Sequence, residues 1–215
     1  MTGLLDPTLD YIFKTIFGQE DRKHLLISFL NALLKGQPQI KDITLENTEL
    51  AKILETDKAS RLDIKATTGD GTKLDIEIQC KNTGEIPERA IYYTCKMVAG
   101  QKLAGSPYVD QKAISIWILG ENVTSLEDPV NEAGLMYKPK RAHPLDMSDS
   151  IRIVFIELQK FDPKNADAKD MLTAWLSFLK DPVYMDKAFL DIDEVSTAMD
   201  TLKYISADDD VRAIA

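Results

Sequence analysis

Two short segments constrain this chain more than any other part of it: Arg61-Leu62-Asp63-Ile64-Lys65 and Lys73-Leu74-Asp75-Ile76-Glu77-Ile78-Gln79. Each alternates apolar and polar residues, the period-two pattern of a strand with one buried and one solvated face. Gly69-Asp70-Gly71 lies between them, and glycine supplies the positive φ that a tight hairpin needs. With Gly69 to Gly71 as the loop, Thr68 faces Thr72, Ile64 faces Ile76, Leu62 faces Ile78 and Asp63 faces Glu77. A two-residue loop would slip the register and set Ile64 against Glu77, which is costly when one face is buried. The hairpin is therefore predicted to hold Asp63 beside Glu77, with Cβ atoms about 4.5–5.5 Å apart.

The polar face built this way carries Asp63, Asp75, Glu77 and Gln79. Carboxylates on adjacent strands repel unless a cation lies between them, so the excess of acid points to a metal site. Mg²⁺ suits it, because Mg²⁺ takes oxygen ligands, keeps several waters and is often held by one or two carboxylates plus substrate phosphates. The bland alternative is a solvated hairpin face balanced by Lys65, Lys73 and Lys81. Lys58 and Arg61, just upstream, read either as a basic rim to the site or as ordinary strand-edge charges.

The rest of the composition mainly excludes. A chain of 215 residues suits one domain with a real core and a small appendage. No apolar run reaches the roughly 20 residues that span a bilayer, and Met1 to Leu5 do not read as a secretory leader. Cys80 and Cys95 need no disulfide, so a reduced, cytoplasmic protein is expected. A formal net charge of −9 opposes broad electrostatic binding to nucleic acid, which needs Lys and Arg against phosphate. His24 and His143 are the only histidines, too few and too far apart for a His-based zinc or Ser-His-Asp centre. There is no Gly-x4-Gly-Lys and no Gly-x-Gly-x-x-Gly, which argues against nucleotide hydrolysis and dinucleotide redox chemistry.

Along the chain, helices are expected over 6–17, 21–35 and 87–103, and strands over 40–45, 113–119 and 151–158. Residues 121–150 read as irregular, with one short strand near 135–137. From residue 165 onward the pattern is helical, broken at Asp181-Pro182 and near Asp208. On the helix after the hairpin, Arg89, Tyr92, Tyr93 and Lys96 share one side, opposite Ile91, Cys95 and Val98. An Arg and a Lys there read as a phosphate clamp or, equally, as a solvated helix face. The order of elements predicts an α/β fold around a mixed sheet.

The chain resembles the Rpn family, recombination-promoting nucleases grouped with transposases in the PD-(D/E)XK nuclease superfamily. The resemblance rests on Asp6-Pro-Thr-Leu-Asp10-Tyr-Ile-Phe-Lys14 with Phe17-Gly18, on Leu30-Asn31-Ala-Leu-Leu34, and on Lys58-x-x-Arg61-Leu-Asp63-Ile. It continues through Gly71, Asp75-Ile-Glu77-Ile-Gln79 and Arg89-Ala-x-Tyr92-Tyr93. It implies a restriction-endonuclease-like core over residues 1–160, a mixed β-sheet flanked by helices, with a helical C-terminal part at 161–215. Asp63 and Glu77 would bind Mg²⁺ (or Mn²⁺) for phosphodiester hydrolysis of DNA, with Gln79 where the superfamily motif has its Lys. Lys65, Lys81 or a second metal would supply the missing cation, and Lys58, Arg89 and Tyr93 would support the site. Double-strand cutting by one site per chain would require a homodimer. The alternative is a weak or inactive nuclease fold serving as a DNA-binding, regulatory or dimerising module; net acidity and the absent motif Lys favour it.

Overall fold

The computed structural model describes residues 3–47, 49–50, 60–61, 63–101, 112–140, 142–163, 170–185 and 187–214. Helix α1 (Asp10–Phe17) follows a turn in which Asp6 Oδ1 accepts the Thr8 N–H at 2.8 Å. That turn moves the helix start from Asp6 to Asp10. Gly18 closes α1, its N–H bonded to Lys14 O, and a Cβ at Gly18 would lie 2.9 Å from that oxygen. Helix α2 (Lys23–Leu33) leads to β1 (Ile43–Glu46). Strands β2 (Glu49–Leu50) and β3 (Ser60–Arg61) form a small separate ladder. The main hairpin is β4 (Ile64–Thr68) and β5 (Lys73–Gln79). There follow α3 (Ile86–Gly100), β6 (Ala113–Leu119), β7 (Val130–Tyr137) and β8 (Leu145–Glu157). Helices α4 (Met171–Lys180), α5 (Asp193–Ser206) and α6 (Asp209–Ile214) end the chain.

The main sheet has six strands in the order β1-β4-β5-β6-β8-β7. Strands β5, β6 and β8 run parallel, and the outer pairings are antiparallel. All seven residues of β6 are buried, as expected for a central strand covered on both faces. One sheet face presents Ile64, Ala66, Leu74, Ile76, Ile116 and Ile156 to a core shared with α1, α2, α4 and α5. Trp175 of α4 is the hub of this layer, 5.5 Å from Phe17 and 6.3 Å from Phe29 between ring centroids. The C-terminal helices thus share one apolar core with the N-terminal pair. The other face is covered by α3, where Ile86 and Ala90 pack on Trp117, Leu119, Ile153 and Phe155.

Residues 130–150 depart from the sequence expectation: a continuous β7–β8 hairpin replaces an irregular stretch with one short strand. Among the described residues the outer half of β8 has no second strand neighbour, because β6 begins opposite Ile151. Leu135 to Tyr137 and Leu145 to Met147 are exposed, so no buried face imposes alternation there. Register shifts around Leu135 blur the pattern further. No helix of the described residues is long and apolar enough to cross a membrane.

Candidate active site

The site is built on the β4–β5 hairpin. Its loop is Gly69 to Gly71: the Thr68 N–H bonds Thr72 O at 3.0 Å, and Gly71 takes a φ of 89° that side chains disfavour. Ile64 pairs with Ile76 and Ala66 with Leu74, and the same register sets Asp63, just before β4, opposite Glu77. The two residues are tied reciprocally. The Asp63 N–H donates to Glu77 Oε1 at 3.0 Å, and the Ile78 N–H donates to Asp63 Oδ2 at 2.8 Å. Each carboxylate so keeps one oxygen fixed by backbone and a second one for other partners.

The second oxygens meet cations from two helices. Lys14 of α1 lies 3.1 Å from Asp63 Oδ1 and 2.7 Å from Asp10 Oδ1, the i,i+4 partner below it. Arg89 of α3 donates to Gln79 Oε1 at 3.2 Å and lies 3.8 Å from Glu77 Oε2. Its guanidinium carbon sits 5.2 Å from the Trp117 ring centroid and 5.7 Å from that of Tyr93, a cation–π arrangement. Tyr93 in turn stacks on Trp117 at 6.0 Å.

The polar sheet face is not solvated as the alternation implies: Asp75 is fully buried and Glu77 is 4 % exposed. Helix α3 covers it. Asp75 Oδ2 accepts from Ser115 Oγ at 2.6 Å, which itself accepts the Trp117 indole N–H at 2.8 Å. Asp75 Oδ1 is buried with no hydrogen-bond partner. Burial, and then the charge of Glu77, push the Asp75 carboxyl well above the ordinary carboxylate range. Burial and the charge of Asp63 raise Glu77 to about 7. Burial also raises Asp63, against the pull of the Ile78 N–H and Lys14. Burial opposes the charge on Lys14, but the Asp10 and Asp63 carboxylates outweigh it and raise its pKa.

The other predicted residues fall differently. Lys65 points to Glu46 of β1 at 3.2 Å, and Glu46 is also bonded by Lys73 and Thr67. Burial disfavours that carboxylate, yet its three partners lower it to about 2. A cleft of about 230 Å³ between Lys14, Gln19, Glu46, Asp63 and Lys65 opens beside the pair. Lys81 is exposed beyond the end of β5, and Lys58 lies outside the described residues. On α3, Lys96 is buried while Ile91 is 56 % exposed and Cys95 is exposed, because the buried seam runs through Ile86, Ala90, Thr94 and Met97. Among the described residues no group of three or more His, Cys, Asp or Glu could hold a metal ion.

Lys14, Asp10, Ser115 and Trp117 were not among the expected site residues. The i,i+4 pair Asp10/Lys14 was visible in the sequence, but its docking beside Asp63 depends on how α1 crosses the hairpin. Ser115 was legible only as the lone hydroxyl in an otherwise apolar strand.

A family model described as PD-(D/E)XK nuclease family transposase matches residues 7–214. No curated protein matches the chain, and no solved structure matches it. The mixed six-stranded sheet with flanking helices is consistent with the restriction-endonuclease-like fold of that family, and the match supports a nuclease-like function. Over nearly its whole length, the chain belongs to the PD-(D/E)XK nuclease family transposases.

Proposed function

We propose that this protein is a Mg²⁺-dependent DNA endonuclease, hydrolysing phosphodiester bonds in recombination or mobile-element processes. The observation that carries the reading is the opposed pair Asp63 and Glu77, each with one oxygen fixed by backbone, and Asp63 lining the cleft beside them. Two carboxylates are too few for an all-protein metal cage. They fit a hard divalent ion that completes its shell with water and phosphate oxygens. Asp63 and Glu77 would hold it, and when bound it supplies a water of lowered pKa and screens the charge that develops on phosphorus. The chain's own residues do the rest. The Asp63 and Ile78 N–H groups keep the carboxylates from turning away, and α3 excludes water from the inner side of Glu77. The attacking water gives up a proton to solvent as its oxygen bonds to phosphorus, the bond from phosphorus to one deoxyribose oxygen breaks, and the departing oxygen takes up a proton from solvent.

The test is supercoiled-plasmid cleavage under Mg²⁺ and Mn²⁺ titration with the parent, Asp63→Ala and Glu77→Ala. Metal-dependent nicking or linearisation is expected for the parent and not for the variants; a Glu77→Ala protein as fast as the parent would sink the reading. A second reading, a regulatory or DNA-binding module on an inactive nuclease fold, draws on a specific observation. Lys14 at 3.1 Å already compensates Asp63 without a metal, in a chain of net charge −9. A parent whose melting temperature ignores both metals would favour that reading, since a ligand specific to the folded state raises stability.

A further inference from the structure

The site holds two carboxylates and, at the residue two beyond Glu77, the neutral Gln79. Phosphodiester hydrolysis builds negative charge on the non-bridging oxygens, and a fixed cation aimed at that charge is worth far more than a mobile one. Among the described residues, the cations around the pair are not equivalent. Lys65 and Lys73 are both bonded to Glu46. Lys14 bridges Asp63 and Asp10. Lys81 lies on exposed chain past the strand. Arg89 differs from all of them. Its guanidinium is pinned from one side by Gln79 Oε1 at 3.2 Å and flanked by the Trp117 and Tyr93 rings. It approaches Glu77 Oε2 only to 3.8 Å, too far for a hydrogen bond, and its side chain is 33 % exposed. A guanidinium has five N–H donors in a planar fork. One is used by Gln79, leaving an edge for two phosphate oxygens.

We propose that Arg89 is a catalytic residue, the cation that contacts the scissile phosphate, and that Gln79 is its positioning residue. The inference rests on the phosphodiester-hydrolysis reading above and adds to it the source of the charge. Gln79 is uncharged because its task is to accept from Arg89. A lysine at position 79 would carry its ammonium towards the place where the guanidinium edge now lies, since the amide oxygen of Gln79 already reaches within 3.2 Å of Arg89 Nη1. The position of the positive charge therefore matters more than which residue bears it.

The experiment compares the parent, Arg89→Gln, Arg89→Lys and the double variant Gln79→Lys/Arg89→Gln. Each is measured for plasmid cleavage, for Mn²⁺-induced melting shift without DNA, and for duplex affinity in EDTA. Loss of one fixed transition-state donor is expected to slow cleavage by about 10²–10³-fold in Arg89→Gln, with the Mn²⁺ shift retained and duplex affinity reduced. The double variant is expected to recover at least about tenfold of that rate, equivalent to about 1.4 kcal/mol. Arg89→Lys, which keeps the charge without the fork, is expected to fall between. The proposal is overturned if Arg89→Gln cleaves within about threefold of the parent, because a fixed donor is worth more than that. It is also overturned if the double variant shows no recovery while keeping the Mn²⁺ shift, or if Arg89→Gln loses the Mn²⁺ shift with its activity, which would make Arg89 a prop for Glu77. Should Arg89→Gln not fold, Arg89→Met, which also removes the charge, is read in its place by the same thresholds. A parent that does not cleave at all is a different result, and it removes the hydrolytic reading itself.

Discussion

The main-chain N–H of Asp63 donates to Glu77 Oε1 at 3.0 Å across the hairpin. The bond makes Glu77 part of the fold as well as part of the site, and the two roles separate by substitution. Glu77→Gln keeps an acceptor for that N–H, whereas Glu77→Ala leaves it without one in a place that water reaches poorly. Glu77→Ala is expected to be less stable than Glu77→Gln by about 1–3 kcal/mol in urea unfolding, while both lose metal-dependent cleavage. Equal stability of the two variants would show that the bond contributes nothing.

Glu77 also sets a pH dependence. Its folded pKa of about 7 stands above its ordinary value of 4.5. Below about 4.5 the folded and unfolded chains both hold the proton. As pH rises from there to about 7, the unfolded chain releases it first, so metal-free protein loses stability across that window and the loss levels off above it. The effect is on the order of 3 kcal/mol. Thermal melts in EDTA from about pH 5 to about pH 8 should show the parent falling relative to Glu77→Gln. Parallel curves would contradict the raised pKa.

Lys14 and a cation bound as proposed would compete for Asp63. An ammonium 3.1 Å from Asp63 Oδ1 repels a divalent ion at the same carboxylate. Lys14→Met is expected to tighten Mn²⁺ binding by about tenfold, or 1.4 kcal/mol, in calorimetric titration, and to lower metal-free stability because it leaves Asp63 uncompensated. Weaker Mn²⁺ binding would assign Lys14 the opposite part, that of orienting the carboxylate.

Ser115 is the sole hydrogen-bond donor to the fully buried Asp75 among the described contacts. Ser115→Ala takes that donor from the Asp75 carboxyl and deprives the Trp117 indole N–H of its acceptor. A loss of about 1–3 kcal/mol per stranded group is expected in chemical denaturation. The double variant Ser115→Ala/Asp75→Leu should recover part of it, since replacing both partners by apolar groups is far less costly than removing one. No recovery would mean that Asp75 is held by something other than this chain of bonds.

Trp175 joins the C-terminal helices to the N-terminal pair through Phe17 and Phe29. Trp175→Ala is expected to cost about 3–5 kcal/mol, and a chain ending at residue 160 should not unfold cooperatively because it exposes that whole layer. A cooperative melt of the truncated chain would make the C-terminal helices an independent appendage.

The hairpin was legible from the chain alone, since Gly69 to Gly71 and the alternation on either side admit only one register that buries Ile64, Leu74 and Ile76 together. That register brings Asp63 and Glu77 into contact, and a period of two is a local property. Strand β6 was equally clear, because a continuous β-branched run has few other uses. The outer β7–β8 hairpin was not, because strands without a buried face carry no periodic signal. Nor did the sequence reveal that the acidic face is covered. Whether a polar strand face meets water depends on which helix lands on it, and only the packing of α3 buries Asp75 and brings Arg89 to Gln79. Lys14 reaches Asp63 for a similar reason, through the crossing of α1 over the sheet. Register follows from neighbours along the chain. The charges that surround a carboxylate, and so its proton affinity, come from residues far apart in sequence and are decided when the layers close.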